Sequence, residues 1–351
     1  MPFFSLRKKF LGIDIGTNSI KVVEISSLGQ RKELRNYGEI LASSFFKNSF
    51  RNFQKDTLLL SLKEIARGIK AILEEAKIKT KKAGFSVPDF SSFFINFDLP
   101  PMTEEELPEA VKYNARQYIP LSLKEVVIDW ILVKGIPDTG ERLQVLLVAI
   151  PKDVIYQYKE IARLCNLELL FLEAEAFSLV RAVAEKEKVE TILDIGAQST
   201  TINLVNKGKL IRSYSIDVGG NDLLERISSA FSLNRKESES MMKRIGLLPT
   251  KEKVNKILLP TVDIILAEVE RIFENFEKTE GEKIEEIIIA GGCALLPGLK
   301  EYFFENLKRK VKIANPFREI FYPPILEKKI KNMGPSFSVA VGVALRGFEK
   351  L

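Results

Sequence analysis

The decapeptide IDIGTNSIKV at residues 13–22 returns as LDIGAQSTTI at 193–202. Asp14 aligns with Asp194, Ile15 with Ile195, Gly16 with Gly196 and Ser19 with Ser199, all at one offset. That period is too long for a solenoid and implies two related lobes. In each copy an apolar segment ends in Asp-Ile-Gly and a second apolar segment follows a short polar link, the pattern of a β-hairpin with a glycine-containing turn. A carboxylate at the end of a strand that should be buried calls for a chemical reason.

Composition narrows what that reason can be. A chain of 351 residues exceeds the usual single core, and 46% hydrophobic with 28% charged residues is the balance of a globular protein. No apolar stretch approaches the roughly 20 residues that cross a bilayer, and no secretory cleavage pattern is present, so the expected compartment is the cytoplasm. Cys165 and Cys293 are the only cysteines and histidine is absent. A disulfide framework, a zinc site and histidine-based acid–base chemistry are therefore not expected. The net charge of +6 is mild; it suits a solvated surface and is compatible with an anionic ligand or a membrane face. MPFFSLRKKF at the start mixes aromatic and basic residues, and a frayed terminus is expected there rather than an interfacial helix.

Residues 56–78 carry leucine and isoleucine at helical spacing. Residues 83–150 then form a small α+β module, with strands around GFSV and SSFFINFDL, a helix opened by a Thr103/Glu106 capping box with Leu107, Val111, Tyr118 and Ile119 as its apolar stripe, and two further strands, EVVIDWILV and RLQVLLVAI. Helix, strand and helix follow over 152–190, ending in the charged run EKEKVE. The expected organisation is a first lobe from 1–82 and 151–190, the inserted module at 83–150, a second lobe at 191–325 and a return to the first lobe at 326–351. In the second lobe, SAFSLNRKESESMMKRIG and VDIILAEVERIFENFEK read as amphipathic helices. IEEIIIAGGCALLPGL reads as a strand running into Gly291 and Gly292 and then a helix.

Glycine-containing turns after strands present backbone N–H groups that accept phosphate oxygens. Two such turns facing each other would clamp a polyphosphate. Asp14 and Asp194 would then stand beside it, repelling unless a divalent cation lies between; Mg²⁺ takes one or two carboxylates plus phosphates and water. The competing reading is that each Asp only caps its turn. No G-x-x-x-x-G-K-[ST] or G-x-G-x-x-G pattern occurs.

GIDIGTNSIKVVEI resembles the first phosphate motif of the actin/Hsp70/sugar-kinase superfamily, ILDIGAQSTTINLV its second, and IIIAGGCALLPGL its adenosine motif, in matching order. Within that superfamily IKVVEI, DLPPMTEEELPEAVKYNARQYIP with its DW strand, FLEAEAFSLVRA and VAVGVALR resemble the PilM family of type IV pilus assembly, relatives of the cell-division protein FtsA. The resemblance implies an α/β, actin-like (ribonuclease H-like duplicated) two-lobe ATPase fold with a small inserted α+β subdomain. It also implies ATP and Mg²⁺ as cofactors, with the extent of hydrolysis left open. By similarity, the backbone of Gly16, Thr17, Asn18 and Ser19 and that of Gly196, Gln198, Ser199 and Thr200 would hold the β- and γ-phosphates, and Asp14 and Asp194 would surround hydrated Mg²⁺. Glu175, with Ala176 replacing the proline expected after it, and Asp194 are the implied catalytic acids. Glu239 and Lys243 would meet ribose and adenine, Gly291 and Gly292 would pass beneath the nucleotide, and Lys21 would reach phosphate. Each side chain has a plainer alternative: Glu175 as a helix N-terminal acid, Glu239 and Lys243 as an exposed i,i+4 pair, Lys21 as a strand-surface lysine.

Composition alone makes the phenylalanines of FSSFFINF the core of a small domain. The resemblance adds a docking role, because PilM-like proteins bind the short cytoplasmic N-terminal tail of a bitopic pilus protein, PilN. The implied partners are a PilN-like inner-membrane protein and other pilus-assembly proteins, with a homo-oligomer left open and no nucleic acid. The implied location is the cytoplasmic face of the inner membrane, reached through the partner. The competing functions are an FtsA-like membrane-tethered filament and a small-molecule kinase. FtsA-like proteins carry a C-terminal amphipathic helix after a linker, whereas this sequence closes on ALRGFEKL, and the module shows no sugar-binding cluster, so a scaffold is the expectation.

Overall fold

The computed structural model describes residues 8–45, 49–52, 57–58 and 61–349; most of the aromatic and basic N-terminal stretch lies outside them. The chain opens as a meander, β1 (Lys8–Ile15), β2 (Ser19–Leu28) and β3 (Arg31–Leu41), followed by a helical turn α1 (Ala42–Phe45) and a short ladder of β4 (Arg51–Asn52) and β5 (Thr57–Leu58). The helix expected over 56–78 is shorter: α2 (Leu62–Glu75) starts only after Ser61, whose hydroxyl and backbone form a capping box with Glu64. β6 (Lys82–Val87) then returns to the first sheet.

The module consists of β7 (Phe93–Leu99), α3 (Leu107–Ala115), β8 (Val126–Lys134) and β9 (Leu143–Pro151), with sheet order β7-β9-β8. Its start is later than position 83, because β6 pairs with β1 in the large sheet. Thr103 and Glu106 do bond each other, one turn ahead of α3. Tyr118 departs from the expected stripe: it is exposed, lying flat against Phe97, and Ala115 takes the buried place beside Leu107, Val111 and Ile119. Strand alternation uses both faces of the module's sheet. Phe93, Ile95 and Phe97 pack under α3, whereas Phe94, Ile131, Val133 and Leu146 join the core between the lobes. The phenylalanine-rich strand is thus packed on both sides.

α4 (Lys152–Leu164), β10 (Glu168–Ala174) and α5 (Glu175–Val183) complete the first pass. The second lobe repeats the plan with β11 (Val189–Ile195), β12 (Thr200–Asn206), β13 (Lys209–Ile216), α6 (Gly220–Phe231), α7 (Arg235–Ile245), α8 (Glu252–Glu280), β14 (Glu286–Ala290), α9 (Leu299–Leu307) and β15 (Lys310–Ile313). The segment SAFSLNRKESESMMKRIG is therefore two helices, broken where Ser232 adopts a left-handed backbone. The chain re-enters the first lobe at β16 (Ile320–Phe321), ahead of position 326, by pairing with β3. α10 (Glu327–Met333) and α11 (Ser338–Arg346) follow.

The sheet orders are β10-β6-β1-β2-β3-β16 and β13-β12-β11-β14-β15. Strand for strand, the antiparallel meander β1-β2-β3 matches β11-β12-β13, and the parallel neighbours β6 and β10 match β14 and β15. Between the two sheets lie α5 and α11, in one core with Val23 and Ile25 of the first sheet and Ile192, Val205 and Ile288 of the second. Packing here is backbone to backbone: a Cβ on Gly12 would fall 1.9 Å from the Ala340 carbonyl oxygen, and one on Gly342 would fall 1.8 Å from that of Ser178.

Both chain crossings between the lobes meet one charge cluster. Arg318 donates to the Val183 and Ala184 carbonyls at the end of α5. Glu190 and Glu286, paired across β11 and β14, are both buried. Burial opposes ionisation of Glu286, but Lys312, Lys310 and Lys188 outweigh it and hold that carboxyl below the usual range. Of these lysines, Glu190 has only the charge of Lys188 in support. Burial pushes it up to about 7; the Glu185 N–H it accepts opposes the rise, and the charges of Glu185 and Glu286 add to it. A carboxyl raised by folding contributes stability at low pH that is lost as pH climbs through the folded value. Glu190→Gln should therefore gain in melting temperature relative to the parent between pH 5 and pH 8; a difference that stays flat across that window would refute the raised carboxyl.

Candidate functional site

The two Asp-Ile-Gly turns close alike: the Gly16 N–H donates to the Ser19 carbonyl at 2.9 Å and the Gly196 N–H to that of Ser199 at 3.0 Å. These two amides serve the turns themselves. The turns face one cavity of about 860 Å³ between the lobes. Asp14, Gly16, Thr17, Asn18, Ser19, Lys21, Glu175, Asp194, Gly196, Gln198, Ser199, Glu239, Lys243, Gly291 and Gly292 all line it. Thr200 does not. It is fully buried and its hydroxyl donates to the Val218 carbonyl at 2.7 Å, while Thr201, on the opposite side of the pleat, faces the cavity.

Each side chain is set by the element that carries it. Asp14 is the penultimate residue of β1, buried, accepting from Ser86 Oγ of β6 at 3.0 Å, with Lys21 Nζ 4.0 Å away. Lys21 lies directly across the hairpin from Asp14 and is equally close to Glu39 of β3, so it is a buried cation of the cavity wall and not a surface lysine. Asp194 occupies the matching place on β11. Glu175 is the first residue of α5 and is buried; Asp89, far away in sequence, accepts the Ala176 N–H at 3.0 Å and fixes this helix start. Glu239 and Lys243 form the i,i+4 pair at 2.6 Å on the exposed rim of α7, and both border the cavity as well.

Gly291 follows β14 with φ +90°, and a Cβ there would stand 2.3 Å from Asp194 Oδ1 and 2.4 Å from the Ile195 carbonyl. Only glycine allows this approach. Gly292 has nothing within 4 Å of a Cβ and opens to the cavity. The helix expected immediately after the glycines begins later, at Leu299, because residues 291–298 are turns. Sequence reasoning did not single out Arg235, Glu39, Lys329, Asn332 or Ser336, which also line the cavity; none sits in a glycine-marked motif. A cavity lined by the two strand-end carboxylates, by basic side chains and by turn backbone from both lobes suits an anion held with a cation.

The family model of the type IV pilus assembly protein PilM matches residues 12–348. The chain belongs to the PilM family. It is 23% identical to the cell division protein FtsA of Streptococcus pneumoniae over 358 residues, covering 88% of this chain and 75% of that protein. Among solved structures, the PilM-PilN type IV pilus biogenesis complex superposes with a TM-score of 0.83 at 24% identity, covering 97% of this chain and 98% of the other. MreB5 of Spiroplasma citri bound to ADP gives 0.57 at 16% identity, with 97% and 96% covered. The fold is thus the actin-like two-lobe fold. Among the described residues no helix is long and apolar enough to cross a membrane.

Cys293, just past the glycines, touches this PilM-family cavity from a buried position. Burial first, then the charge of Asp194, pushes its thiol up to about 12, against the pull of Lys243; burial pushes Cys165 up to about 11. The thiolate is the reactive form. Neither cysteine should react with iodoacetamide at pH 8 until urea unfolds the chain, and rapid native labelling of Cys293 would show that the cavity floor is more open than described.

Proposed function

We propose that this PilM-family protein is an ATP-binding scaffold of the pilus assembly machinery, in which Mg²⁺-ATP organises the interlobe cleft and a PilN-like protein docks its cytoplasmic N-terminal tail on the protein. The single observation that carries the nucleotide reading is the convergence of both turns, Asp14, Asp194 and the Gly291–Gly292 bend on one cavity. The donor set fits the pair. Among the described residues no three acidic or sulfur groups gather to hold a metal alone, so a cation here takes Asp14 and Asp194 with phosphate and water, as Mg²⁺ prefers. Gly291 keeps the wall flat where a side chain would strike Asp194. The backbone of Thr17, Asn18, Ser19, Gln198 and Ser199 borders the phosphate end, with Lys21 adding charge. Glu239 and Lys243 border the adenosine end. In this reading Glu175, which lines the cavity at the start of α5, orients a water toward the terminal phosphate, and turnover need only be slow for a scaffold.

Binding to the folded state stabilises it by about 2.7 kcal/mol at a hundredfold excess over Kd. MgATP should raise the melting temperature, with EDTA reducing the effect and GTP producing less of it. Asp14→Asn and Asp194→Asn should each weaken Mg²⁺-dependent ATP binding by about tenfold or more while still folding. Glu175→Gln should lower turnover more than affinity. An unchanged melting temperature in millimolar MgATP, from protein shown to be nucleotide-free, would overturn the reading.

The partner reading is supported by family membership and by the likeness to a protein solved with PilN. An extended tail gains backbone hydrogen bonds at a sheet edge and specificity from alternating pockets. It would bring this chain to the inner membrane through the partner. A photoreactive N-terminal peptide of the cognate PilN-like protein should bind saturably and cross-link within the module at 88–151 or the first-lobe surface beside it. Absence of binding with and without nucleotide, or cross-links confined to the second lobe, would reject the docking role.

A further inference from the structure

The lobes also meet directly at the cavity through one amide oxygen. Asn18, in the β1–β2 turn of the first lobe, donates from Nδ2 to Oδ1 of Asn221 at 2.9 Å. Asn221 lies in the first turn of α6 in the second lobe, with its backbone N–H on the Ala197 carbonyl of the second turn. The same Oδ1 accepts from an Arg235 NH at 3.0 Å, and Arg235 is the first residue of α7. Ser49 Oγ stands 3.4 Å from Asn18 Oδ1 on the other side. Asn18 and Arg235 line the cavity. One neutral oxygen therefore holds two donors, one from each lobe, where the phosphate turns face each other.

We propose that Asn221 is an interlobe latch, and that Arg235 is a second-lobe cation which leaves it for the terminal phosphate of a nucleoside triphosphate. This rests on the nucleotide reading of the cavity. Facing a phosphate oxygen, Asn18 gains a charge-assisted hydrogen bond in place of a neutral one, and Arg235, whose bond to Asn221 is already charge-assisted, gains an opposite charge and an acceptor that matches its guanidinium fork. A terminal phosphate between the turns competes with Asn221 for Asn18 and Arg235 together. A diphosphate lacks that group and leaves the latch made. Latch and terminal phosphate are then alternative holders of the same two donors, so the contact that joins the lobes changes with the state of the nucleotide.

The test is stopped-flow binding of fluorescent ATP and ADP analogues with Mg²⁺ to the full chain. Arg235→Ala should release the ATP analogue about tenfold faster, the scale of one charge-assisted hydrogen bond, and leave ADP release unchanged, with Arg235→Lys between the two. Asn221→Ala should speed association of both analogues, because the lobes part more readily, without speeding ATP release. Equal loss of ATP and ADP in Arg235→Ala, or weaker binding of both with a lower melting temperature in Asn221→Ala, would assign these residues a purely structural role and overturn the latch. Unchanged kinetics in both variants would overturn it equally while leaving the nucleotide reading intact. Failure of the parent protein to bind either analogue would remove that reading and the latch with it.

Discussion

Helix α11 touches two backbones at once, β1 at Gly12 and α5 through Gly342, with no side chain interposed at either contact. Overpacking such a contact costs about 1–3 kcal/mol even when neighbours can shift, and here the neighbours are main chain. The distance between α5 and the first sheet is therefore fixed by van der Waals radii. Because the same helix pair also carries the inner face of the second sheet, the two turns are placed by one rigid spacer. Glu175, at the start of α5, inherits its position from that spacer, and Asp89 pins the helix end that presents it.

Much of this was legible because the decisive signals are local. A glycine after an apolar strand, with a carboxylate before it, describes its own turn, and a second copy at constant offset describes a second lobe; the sheets repeat that plan strand for strand. The errors have physical reasons. Leucines at 58–60 extend the helical spacing of the segment that follows, and the capping box at Ser61 and Glu64 was the signal that ends the ambiguity. β6 reads as continuous with the module because propensity does not say which sheet a strand joins. Thr200 and Thr201 differ only in pleat parity, so a shift of one residue exchanges a buried hydroxyl for one facing the cavity. Arg235, Asn221 and Asp89 could not be found at all from spacing, since each acquires its place through a contact across the fold.

The module sits away from the phosphate turns, yet it is not an appendage of the first lobe alone. Its β7 and β8 lie against β13, the outermost strand of the second sheet. Asn96 donates to the Ile211 carbonyl at 2.7 Å, and Lys134 reaches Glu280 at the end of α8. It thus closes a mechanical loop: first lobe to module, module to β13, β13 back through the sheet to Asp194. Rotation of one lobe against the other cannot occur at the cleft without shear at the β7–β13 seam. A molecule gripping the module and one lodged between the turns would load the same linkage from opposite ends, with the three strands from β13 to β11 as the lever arm.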